Sequence, residues 1–179
     1  MTGFLLDFTQ LNRERIVENR LEAGSQWYNR IDAEIDRYRL SLGEKGAKKF
    51  KLDLLLRVAW RVDQFSQTCG ECETRKQEIN KLVQGLSLLT QIEDRQAMKT
   101  YAATINNMVE HLKKEHKLVD KGYYLGIGVS IGLAIGGGIG AALGAALDNP
   151  GIGTGIGIAL GAGIGAYLDR KARDEGRVI

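Results

Sequence analysis

The sequence predicts an all-α chain. A cytoplasmic helical bundle of about five helices covers residues 1–121, a two-helix membrane hairpin covers 122–168, and a basic tail covers 169–179. Three observations predict this. Apolar residues recur at helical rather than alternating spacing. Proline occurs once, at Pro150, so little interrupts a helix. Composition changes abruptly near residue 121: 17 of the 23 glycines lie from Gly122 onward, and all but four of the 25 Lys and Arg residues precede it. With 44% hydrophobic and 26% charged residues, the chain is neither disordered nor wholly membrane-embedded. A net charge of +3 is too even to announce nucleic acid, and none is expected as a partner.

Thr9 to about Ala23 reads as the first helix, with Leu11, Ile16 and Leu21 among charges and Gly24 ending it. A second starts near Ser25, carries Trp27, Ile31, Ile35 and Tyr38 as an apolar stripe, and stops at Leu42-Gly43. The third runs from about Ala47 to Gln67, with Phe50, Leu54, Leu55, Val58, Val62 and Phe65 toward the core. Trp60 lies off that stripe and is expected to meet a neighbouring helix. Thr68-Cys-Gly-Glu71 has the pattern of a capping box, so a fourth helix is placed from Cys69, with Thr74 to Gln77 as the competing start. It holds Ile79, Leu82, Val83, Leu86 and Leu89 and ends near Glu93. Asp94 is the expected N-cap of the fifth, about 95–120, which carries Met98, Tyr101, Ala102, Ile105, Met108, Val109 and Leu112. These stripes specify a packed bundle.

Beyond Lys121 the chain changes character. Tyr124 to Leu147 is 24 residues without a charge, and Gly151 to Leu168 is 18 more. At ~1.5 Å per residue they reach about 36 and 27 Å against a hydrocarbon layer of ~30 Å. Asp148-Asn-Pro-Gly151 is a polar turn between them. Gly128, Gly132, Gly136, Gly140 and Gly144 recur every four residues, as do Gly153, Gly157, Gly161 and Gly165, giving each helix a bare face that allows backbones to touch. The stretch from Gly122 to Leu168 resembles the glycine-zipper membrane segments of small bacterial membrane proteins. That resemblance implies a self-associating transmembrane hairpin and no activity. Lys113, Lys114, Lys117 and Lys121 before it, and Arg170, Lys171, Arg173 and Arg177 after it, place both termini on the cytoplasmic side of the inner membrane. Tyr123, Tyr124 and Tyr167 would share one interface. The opening Met1 to Asp7 has no basic region and only a three-residue apolar run, so no secretory signal is expected.

The sequence holds two cysteines and two histidines: Cys69, Cys72, His111 and His116. If the fourth and fifth helices turn back near residue 93, all four arrive at one end of the hairpin. Two thiolates and two imidazoles are a closed tetrahedral Zn²⁺ set, and a structural zinc is the expected cofactor. Two points oppose it: histidines five apart on an ideal helix point about 140° from each other, and Glu115 competes as fourth ligand. Solvated histidines at a basic helix end, a Cys69–Cys72 thiol switch, and a catalytic zinc with Glu71 or Glu73 nearby are the alternatives. Gly136-Gly-Gly138 lacks the Lys-Ser/Thr of a phosphate loop. Lys45, Lys48, Lys49 and Lys51 read as a solvated face, with anionic headgroups as the sharper option.

The leading functional expectation is non-enzymatic. The hairpin self-associates in the lipid bilayer as a pore or membrane-perturbing effector, under control of the zinc-clipped bundle, which also offers a surface to a soluble protein partner. The alternatives are a membrane-tethered metal- or thiol-dependent enzyme or redox sensor, and a passive membrane scaffold.

Overall fold

The computed structural model describes residues 25–92, 94–147 and 151–179, with no side-chain description for 139–147 and 151–152. The helix expected over Thr9–Ala23, the turn residues 148–150 and the surroundings of Gly140 and Gly144 lie outside the described residues. Among those described there are six helices and no strand: α1 (Gln26–Lys49), α2 (Leu52–Phe65), α3 (Gly70–Gln91), α4 (Arg95–His116), α5 (Tyr123–Leu147) and α6 (Gly151–Asp174). The chain divides into two compact units, one ending at Leu112 and one beginning at Lys113.

In the first unit each boundary has a local cause. Ser25 caps α1 by accepting from the Tyr28 N–H at 3.2 Å. The stop expected at Gly43 is a break inside α1, where Gly43 takes φ 65, a left-handed value that only glycine adopts without cost. α2 follows Lys51, itself left-handed at φ 50, and buries Leu52, Leu55, Leu56, Val58, Ala59 and Val62. Its inner face is therefore rotated slightly from the expected one: Leu56 and Ala59 are inside, and Leu54 is half-buried. Likewise Tyr28, not Trp27, lies at the centre of α1's buried face with Ile31 and Ile35. Trp60 does meet a neighbouring helix, edge-on to Tyr28 at 5.0 Å between ring centroids. Asp63 ties the start of α1 to α2 and α3, accepting from the Ser25 hydroxyl at 2.8 Å and pairing with Lys76 at 3.1 Å. The hydroxyl of Tyr101, deep in the core, donates to the Phe50 carbonyl at 2.8 Å, so the break after α1 is held against α4.

In the second unit α5 and α6 pack as an antiparallel pair along their glycines. Gly128 faces Gly161 and Gly165, Gly132 faces Gly157 and Gly161, and Gly136 faces Gly153 and Gly157. A Cβ at Gly136 would stand 2.8 Å from the Gly153 carbonyl oxygen, and one at Gly165 2.5 Å from that of Tyr124. Gly126, Gly137, Gly138, Gly155 and Gly163 have nothing within 4 Å of such an atom. The seam is thus made of backbone against backbone. At its base the buried Asp169 carboxylate accepts from the Tyr124 and Leu125 N–H groups at 3.1 and 3.0 Å, satisfying the otherwise orphaned donors of α5. α6 ends in a Schellman motif with Gly176 at φ 68, the Arg177 N–H reaching the Ala172 carbonyl and the Gly176 N–H that of Arg173. The tail then bonds Val119 on both sides through Arg177 O and Ile179 N.

The membrane reading is corrected here. Among the described residues, no helix is long and apolar enough to cross a membrane. Absence of charge is not apolarity: eight of the 24 residues from Tyr124 to Leu147 are glycine, which brings no side chain to transfer from water to hydrocarbon. The transmembrane hairpin, the small integral membrane protein with its pore, and the inner-membrane localisation with cytoplasmic termini are overturned by that finding. The membrane tether of the enzyme and scaffold alternatives goes with them. The two glycine registers instead meet each other within one helical pair.

Candidate metal centre

The site is built where α3 begins and α4 ends. Cys69 is the N-cap residue of α3, with extended φ/ψ and no side-chain capping bond, so its sulfur is not spent on the helix. The expected capping box does not form. The Thr68 hydroxyl bonds back to the Phe65 carbonyl at 3.3 Å, and Glu71 turns elsewhere. Cys72, one turn in, is buried. Between α3 and α4 the chain reverses. Ile92 takes an extended conformation and Asp94 caps α4 by accepting from the Gln96 N–H at 2.8 Å. Twenty-two residues later α4 ends at His116, followed by left-handed Lys117. The helix is shorter than the expected reach to residue 120.

Cys69, Cys72, His111 and His116 converge. One ligand atom from each lies within 4.8 Å of the others. His111 Nε2 stands 3.5 Å from Cys69 Sγ and 3.4 Å from Cys72 Sγ. A tetrahedral zinc with Zn–S of ~2.3 Å and Zn–N of ~2.0–2.1 Å separates its sulfur and nitrogen ligands by about 3.5 Å. The observed spacings therefore match those of ligands around such an ion. His116 joins despite its five-residue offset from His111; it is the last residue of α4, directly before left-handed Lys117. Glu115 is exposed and is not one of the converging groups.

Without an ion, the surroundings hold the Cys72 thiol protonated. Neither cysteine is in a disulfide. Burial, then the neighbouring Cys69, pushes the Cys72 thiol up to about 12, so a lone thiolate there is disfavoured. A bound divalent ion reverses that balance by stabilising the thiolate directly. His111 is buried, and its second nitrogen, Nδ1, lies 3.1 Å from Glu71 Oε2. Glu71 in turn holds Arg75 at 2.5 Å, and that bond keeps its carboxyl below the usual range. An ionised Glu71 selects the tautomer with a proton on Nδ1, leaving the Nε2 lone pair aimed at the sulfurs. This orienting role was not read from the sequence. The signal was Glu71's place between the two cysteines, which puts a carboxylate on the same helical turn.

No family model, curated protein or solved structure matches the chain.

Proposed function

We propose that the chain is a Zn²⁺-binding helical protein in which Cys69, Cys72, His111 and His116 hold one structural zinc. The single observation that carries the reading is the convergence of those four ligand atoms from the start of α3 and the end of α4. The zinc is a cross-link: it joins two helix ends more than 40 residues apart in sequence, and its binding free energy adds to that of folding. Two thiolates and two imidazoles fill a tetrahedron, leaving no open position for substrate or water. Glu71, the nearest carboxylate, is committed to His111 and Arg75 rather than poised as a general base. The role supported is therefore structural and non-enzymatic, a zinc-fixed helical platform. Soft thiolates with imidazole select zinc over magnesium or calcium.

The test is metal content and coordination. Protein purified without chelator carries about one zinc per chain by elemental analysis. Cobalt substitution gives the intense visible bands of a tetrahedral thiolate site, and Cys72→Ser and His116→Ala each abolish them. Zinc-free protein that also fails to take up cobalt would overturn the assignment.

A further inference from the structure

The glycine seam uses one face of α5 and α6 and leaves a row of large aliphatic residues on each helix about half exposed. Ile127, Ile131 and Ile135 each precede a seam glycine of α5 by one residue, and Ile156, Leu160 and Ile164 each precede one of α6. One residue is a turn of about 100° on a helix. Because the two helices are antiparallel, stripes displaced the same way in sequence fall on the same side of the seam. These six side chains are 39–63% exposed. Together they leave roughly 600 Å² of aliphatic surface open, the top of the range for the largest patch on a monomer. With the small residues between them the face approaches the ~800 Å² per partner of a stable interface.

We infer that this face docks against the same face of a second copy of the chain. Two observations choose that occupant. From Gly122 to Leu168 only Asp148 is charged, so the face offers no ionic readout to a charged partner and is complementary to another surface of its own kind. The register is also self-complementary. Gly132 lies level between Gly157 and Gly161 of the antiparallel α6, which sets Ile127, Ile131 and Ile135 level with Ile164, Leu160 and Ile156. A two-fold axis parallel to the hairpin lays α5 of one copy on α6 of the other and keeps those levels. The aliphatic side chains then stack in matched layers, Ile131 and Leu160 of both copies forming one layer of four, as in an antiparallel four-helix bundle with an isologous interface. Association runs through the aliphatic face and not the glycines, which are already occupied within the hairpin. The inference does not rest on the metal.

Sedimentation equilibrium of the full-length chain in detergent-free buffer, from about 1 to 50 μM, tests it. The expected mass is twice the 19.7 kDa chain. Ile131→Gln and Leu160→Gln each weaken dimerisation at least tenfold, whereas Leu133→Gln, on the other side of the seam, leaves it unchanged. Circular dichroism checks that helicity is retained in each variant. A monomeric wild type over that range overturns the proposal. So does a dimer that neither face variant weakens. A third overturning result is flotation of the wild type with phosphatidylcholine vesicles, abolished by Ile131→Gln, since lipid and not a second copy would then cover the face.

Discussion

Glu71 is the residue on which the candidate centre's chemistry turns. Its carboxylate reaches His111 Nδ1 at 3.1 Å while Arg75 holds it from the other side. Removing such an orienting carboxylate typically weakens metal affinity 10–100-fold with all ligands present. Glu71→Ala is therefore expected to raise the zinc Kd by that factor, measured by competition with a chromogenic chelator, while the cobalt spectrum keeps its tetrahedral bands. Glu71→Gln, which keeps an acceptor but loses the charge, should fall between. An unchanged Kd in Glu71→Ala would make Glu71 a bystander. At this scale the ligands were legible in the sequence, because Cys and His are scarce in it and their spacing is chemical. Their orienting partner was not, because a glutamate on a helix surface has no distinctive pattern until its neighbour in space is known.

At the scale of elements, the helices were legible where periodicity and caps agree, and misplaced where tertiary bonds outvote local ones. Asp94 capped its helix as its type predicts. The Thr68–Glu71 capping box did not form, since Glu71 found a stronger partner in Arg75. Asp169 was unread because its role, capping α5 from α6, exists only in the folded pair. The glycines of α5 divide into two kinds that sequence spacing separates and energetics can check. Gly137 has open space around it, so Gly137→Ala gains helix propensity and should stabilise by about 1 kcal/mol. A methyl at Gly132 would run into the Gly157 carbonyl and the Gly161 Cα, which are backbone and cannot swing aside. Gly132→Ala should destabilise by about 1–3 kcal/mol despite the same propensity gain. Urea unfolding of the two variants reads the opposite signs directly. The same sign at both positions would mean that the seam is not packed as described.

At the scale of the whole molecule, the sequence announced two materials, but its nearly uncharged segment from Gly122 to Leu168 was misread because lack of charge stood in for apolarity. The metal makes a second whole-molecule statement, and pH separates it from packing. In the metal-free chain the Cys72 thiol is raised to about 12 from an ordinary value near 9. A raised folded value means the native state holds the proton more tightly. That contribution is full below about pH 9 and is lost as pH rises from there toward 12. With zinc bound the thiolates are already formed, so that alkaline loss disappears and the sensitivity moves to the acid side, where protons compete with the ion for imidazole and thiolate. Free zinc at a hundred times its Kd stabilises by ~2.7 kcal/mol, on the order of 10–20 °C in Tm for a unit of about a hundred residues. Adding chelator at pH 7.5 should therefore lower the melting transition of the metal-bearing helices by that amount. The gap between loaded and chelated protein should close below about pH 5, where ligand protonation has already released the metal. A chelator shift of equal size at pH 5 and 7.5 would contradict thiolate and imidazole ligation, and no shift at either pH would contradict a structural metal.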